Sequence, residues 1–148
     1  MDETDYDSAV MRHLIASLDA WGTALRAGEK WASWWWNAKN PAAALRSLGV
    51  SASVTEIMDN AELDAAGRMA LMRCIRGLCT AGLLVPIRRN GHRITHLRPT
   101  SKGLAVAVAL VRQEGGKPDL DAVLVALDAA EWATDELRAA VEAMKVPA

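Results

Sequence analysis

The side chains in this sequence best suited to chemistry are guanidinium groups. Between Ala65 and Gln113 stand Arg68, Arg73, Arg76, Arg88, Arg89, Arg93, Arg98, Lys102 and Arg112, with His92 and His96 among them and not one Asp or Glu. Upstream, ten acidic residues face five basic ones, and downstream eight face three, so the net charge of −1 conceals a basic middle between two acidic ends. Cations grouped without carboxylates attract a polyanion, most often nucleic acid. Catalysis has little to work with: the chain has no Ser/His/Asp grouping, no metal-ligand spacing and no phosphate-binding glycine loop. That predicts a protein that is not an enzyme and holds neither metal nor cofactor. His13, His92 and His96 read as one surface residue and two residues of a basic hairpin. Cys74 and Cys79, five apart on one predicted helix, point in different directions and read as small core residues.

Local signals define the elements that would hold these groups. Ser53-Val54-Thr55-Glu56 is a capping box opening a short helix to about Asn60, with Val54, Ile57 and Met58 as its apolar side. Asp64 then caps a longer helix to about Ala81, closed by Gly82. On that helix Leu71, Met72, Ile75, Leu78 and Cys79 share one arc, while Met69, Arg73, Arg76 and Thr80 recur on another at steps of 4, 3 and 4. The first arc suits a core and the second a partner. Leu83 to Arg89 and His92 to Arg98 read as strands joined by Asn90-Gly91, a strong hairpin signal, which puts Arg88, Arg89, His92 and Arg93 at an exposed tip. A short helix, a turn, a longer helix with a cationic outer face and a basic hairpin follow the order of a winged helix-turn-helix. Thr100 can cap a helix from Leu104 to Arg112, whose Ala, Val and Leu run predicts burial on several sides.

The flanks complete one domain over residues 1–148, with N-terminal helices and a Trp-rich segment at 5–50, the core at 53–103 and C-terminal helices at 104–148. A helix from about Asp5 to Ala27 carries Met11, Leu14, Leu18, Trp21 and Leu25 at coiled-coil spacing, a seam for its own domain or for a second subunit. Asn40-Pro41 opens a short helix, Ala42 to Leu48. Trp31, Trp34, Trp35 and Trp36 cluster in a chain without Phe. Three adjacent Trp cannot share one face, so the cluster is either a satellite core or, with Trp21 or Trp132, the wall of a pocket for a small apolar ligand. Glu114-Gly115-Gly116-Lys117-Pro118 breaks the chain before two further helices, one from Asp119 and one capped by Thr134. No apolar run approaches the roughly 18 residues of a membrane span, and the acidic start is unlike a signal peptide. A cytoplasmic location with no membrane partner is the expectation.

From Ser53 to Gly103 the chain resembles the MarR-type winged-helix regulators. The resemblance rests on Val54-Thr55-Glu56-Ile57, on Leu78-Cys79-Thr80-Ala81-Gly82-Leu83-Leu84, on an arginine just after the hairpin turn, and on Thr100-Ser101-Lys102-Gly103, which matches that family's Thr-x-x-Gly helix start. It implies a homodimer, built by long N- and C-terminal helices, that binds palindromic double-stranded DNA, regulates transcription and often responds to a small aromatic effector. The expected fold is therefore mainly α with a small β-hairpin wing. In that reading Arg68, Met69, Arg73 and Arg76 face the major groove, Arg68 and Arg73 foremost as donors to guanine. Arg88, Arg89, His92 and Arg93 form the wing, and Lys102, Ser53 and Thr55 meet phosphates at helix starts. The alternative is a winged-helix protein-interaction module that uses the Trp cluster, its basic face meeting an acidic partner.

Overall fold

The computed structural model describes residues 3–27, 51–89, 91 and 93–145. Their order is α1 (Glu3–Arg26), β1 (Ala52–Ser53), α2 (Val54–Asn60), α3 (Ala65–Thr80), β2 (Leu84–Arg89), β3 (Arg93–Pro99), α4 (Ser101–Gln113), α5 (Leu120–Ala129) and α6 (Asp135–Lys145). The fold is mainly helical with one small antiparallel sheet of order β1-β3-β2. No helix among the described residues is long and apolar enough to cross a membrane. The predicted helix at 42–48 lies outside the described residues.

The helix starts follow from capping chemistry. Ser53, Asp64, Thr100 and Asp119 each sit in extended backbone and accept the amide of the third residue on, so orphan donors of the first turn are satisfied. Thr134 does the same for Leu137 at 3.1 Å. Only half of the expected capping box forms at α2, because the Glu56 carboxylate turns toward His13 instead. Gly82, at φ +80°, closes α3: the Leu83 amide reaches back to the Leu78 carbonyl, satisfying the last turn.

A single core joins all these elements, with Leu14 and Leu18 of α1, Leu71 and Ile75 of α3, Leu97 of β3, Leu104 of α4, Val123 and Leu127 of α5, and Val141 of α6 fully buried. Met11, Leu14 and Leu18 of the α1 seam are committed here, while Trp21 and Leu25 are half-buried. Val10 and Ile15 are buried beside Met11, Leu14 and Leu18, so the apolar stripe is wider than a coiled-coil seam and packs on α5, α4 and α3 of the same chain. Gly22 permits the closest approach: a Cβ there would overlap the Ala122 carbonyl of α5. The C-terminal helices, expected to be long, have 13, 10 and 11 residues. α4 buries Gly103, Leu104, Ala107 and Val108, while Ala105, Val106 and Ala109 face outward, Val106 at 41% exposure.

The sheet carries a correction of its own. Register runs from Leu84 opposite Pro99 to Ile87 opposite His96, then slips so that Arg88 faces Ile94. Thr95 is the extra residue, and a bulge of this kind reverses the alternation. Ile94 and Leu97, three apart, are both buried as a result. His96, expected at the hairpin surface, is 9% exposed in the middle strand, between Ile87 and Ser53. Pro86 is tolerated because β2 is an edge strand.

Candidate nucleic-acid interface

α2 and α3 are joined by a four-residue turn, Ala61 to Asp64, and the antiparallel β2–β3 hairpin follows α3 after Gly82. The outer row of α3 is exposed along its length: Met69, Arg73, Arg76 and Thr80, preceded by Ala65 and Ala66. Two grooves lie beside it. One, of about 430 Å³, is lined by Met58, Arg68, Met69, Met72, Arg73 and Arg76. The other, of about 460 Å³, is lined by Val54, Thr55, Met58, Met72, Arg76, Arg93, Ile94 and Thr95. Because Met58, Met72 and Arg76 belong to both, they form one concave surface with a methionine floor and an arginine rim. Thus Arg68, Met69, Arg73, Arg76, Thr55 and Arg93 come together, as α3, the start of α2 and the base of the hairpin bring them there.

The nine basic residues of the middle block are not equivalent. Arg68 donates from Nε to the Leu63 carbonyl at 3.2 Å and lies 3.6 Å from Asp59, so it braces the α2–α3 turn rather than pointing freely outward. Arg98 donates to Ser51 Oγ and lies 5.3 Å from the centre of the Trp132 ring, and its burial lowers its pKa. Lys102 donates to the Ala81 carbonyl at 3.2 Å, at the negative end of α3. Arg112 donates to the Met144 carbonyl at 2.9 Å and closes α6. Arg73, Arg76 and Arg93 have no carboxylate partner among the described residues. Arg88 is exposed on β2 and close enough to Cys79 to oppose, in part, the burial that raises that thiol's pKa. Cys74 is buried, and both cysteines are free.

Several expected site residues lie elsewhere. Ser53 caps α2 with its hydroxyl and is half-buried. Lys102 lines a separate groove of about 450 Å³ with Arg98, Thr100, Trp132 and Glu136, away from the α3 face. The Thr100-x-x-Gly103 start acts structurally: Thr100 Oγ1 accepts the Gly103 amide and donates to the Gly82 carbonyl at 2.7 Å, and a Cβ at Gly103 would overlap the Leu83 carbonyl. Trp21 of α1 is half-buried, as is Trp132, which lines the same groove of about 450 Å³ as Lys102. Trp31, Trp34, Trp35, Trp36 and His92 lie outside the described residues, and of Arg89 only the backbone pairing with Arg93 is described. His13 is not a surface residue: its Nε2 is buried, 3.6 Å from Glu56 and without a hydrogen bond among the described residues, and burial lowers its pKa more than Glu56 raises it.

The methionine floor is not visible in the sequence, where spacing places Met58 and Met72 on apolar core faces; both are only half-buried. Nor is the Arg98–Trp132 pair visible there, since it joins residues 34 apart and leaves no local signal. Against protein-family models, curated proteins and solved structures, the chain has no match.

Proposed function

We propose that this chain is a winged helix-turn-helix domain that binds double-stranded DNA, with α2 and α3 as the helix-turn-helix, the β2–β3 hairpin as the wing and α3 as the helix entering the major groove. One observation carries the reading: Arg73 and Arg76 project from the exposed face of the second helix without a carboxylate partner among the described residues, and Arg93 of the hairpin lines the groove that Arg76 shares. Guanidinium groups exposed along one helix face fit base edges and phosphates. Arg76 replaces Arg68 as the companion of Arg73, since Arg68 is tied to Leu63 and Asp59. The MarR-like layout of α2, α3, hairpin and α4 makes transcription regulation the role to expect. A two-fold dimer on a palindrome belongs to the same reading, but with Met11, Leu14 and Leu18 of α1 buried in the core its contact falls to other surfaces.

Selection from random duplex DNA at about 0.15 M salt tests this, because non-specific phosphate binding is already much weakened there. Enrichment of one sequence supports the reading, and a palindrome supports the dimer; no enrichment would reduce the arginine face to a general polyanion surface. A second reading draws on the methionine floor. Met69 is 65% exposed beside Met58 and Met72, and soft methionine surfaces adapt to apolar peptides. An acidic amphipathic helix would fit that groove, and a protein partner that binds at the same affinity in the presence of saturating DNA would place it elsewhere.

A further inference from the structure

Resting on the DNA reading above, we infer that α3 reads guanine N7 and O6 and the thymine methyl group, and neither adenine nor cytosine. The inference comes from what its exposed face lacks. Met69, Arg73 and Arg76 follow one another at helical steps of four and three, Ala65 and Ala66 lie one turn before Met69, and all five are exposed. Arginine offers donors only, alanine offers neither donor nor acceptor, and the methionine thioether is at most a weak acceptor. The amino groups of adenine N6 and cytosine N4 need a strong acceptor, such as an amide or carboxylate oxygen. The face has none until Thr80, a full turn beyond Arg76 and at the last residue of the helix. Guanine needs two donors, which a single guanidinium supplies as a fork; Arg73 and Arg76 each offer one, and neither is drawn away by a carboxylate among the described residues. The thymine methyl needs an apolar surface, which Met69 supplies at 65% exposure.

Helix dimensions set the spacing. Met69 and Arg73 are four residues apart, about 6 Å along the axis, or roughly two base-pair steps. Arg73 and Arg76 are about 4.5 Å apart, little more than one step. Each α3 should therefore read a thymine about two base pairs from a guanine, with Met69 as the specificity residue for the first and Arg73 for the second.

The test uses the full chain and the duplex most enriched from a random pool, resynthesised with single analogues. Uracil in place of one thymine removes only the methyl group; 7-deazaguanine in place of one guanine removes only the N7 acceptor. The expected results are a loss of affinity of about ten-fold for the 7-deazaguanine duplex and about four-fold for the uracil duplex. Met69→Ala should be indifferent to the uracil while keeping its sensitivity to 7-deazaguanine, and Arg73→Ala should show the reverse. Sequence-specific binding that ignores both analogues, or that depends chiefly on an adenine or cytosine amino group at α3, overturns this inference and leaves DNA binding standing. Failure to bind any duplex overturns DNA binding itself, and this inference with it.

Discussion

Two surfaces of the molecule treat positive charge in opposite ways. Along α1, α5 and α6 the cations sit on carboxylates: Arg12 on Glu114 at 3.2 Å, Arg26 on Asp119 at 2.6 Å, Arg138 on Asp128 and Asp135, and Lys145 on Asp121 and Glu142. On the outer face of α3, Arg73 and Arg76 have no such partner among the described residues. The first surface neutralises itself and ties distant segments together. The second keeps its field, and nothing in the packing of α3 calls for a guanidinium at either position. Charges that the fold does not use are the ones available to a ligand.

The comparison can be sharpened by perturbing the self-paired side. The largest effect is expected from Gly22→Ala, which pushes a methyl group into the Ala122 carbonyl and forces α1 from α5. It should cost about 3 kcal/mol of stability in urea unfolding, with DNA affinity per folded molecule unchanged. Close packing rather than ion pairing would then be what holds this side. The exposed ion pairs are worth less: Arg26→Ala should cost at most about 1 kcal/mol, since both partners are more than a third exposed. A loss of DNA affinity in Arg26→Ala would show that the two surfaces are not independent.

The smallest effect concerns pH. Burial holds His13 below the ordinary histidine pKa, so the unfolded chain binds that proton at higher pH than the folded one. Stability should therefore be fully present above about pH 6.5 and decline as the pH falls below it. Urea midpoints between pH 7.5 and 5.5 should show this slope, and His13→Gln should flatten it. An unchanged slope in that variant would assign the titration to another group.

What could be read from the sequence was what is local. The caps at Ser53, Asp64, Thr100, Asp119 and Thr134 were legible because a side-chain oxygen and an amide three residues on make a self-contained unit. The outer row of α3 was legible from its 3.6-residue period. What stayed hidden depends on elements far apart in the chain. The seam of α1 was visible, but its partner α5 begins nearly a hundred residues later. The Thr95 bulge carries no composition signal, and it decides that Ile94 and Leu97 share the core. Counting charge made Arg98, Lys102 and Arg112 look like the other cations of the block, yet each is drawn to a carbonyl, a hydroxyl or an aromatic ring that only the tertiary fold brings near.

The most direct test compares two double variants for binding to the same selected duplex at about 0.15 M salt. Arg73→Ala with Arg76→Ala removes the cations of the exposed α3 face; Arg12→Ala with Arg26→Ala removes an equal charge from the paired side. If α3 is the DNA-reading helix, the first pair loses about 100-fold in affinity with its unfolding midpoint unmoved, and the second binds within about two-fold of the parent, since its charges lie outside the interface. Equal losses in both would mean that the duplex responds only to net charge, and the central claim would fail.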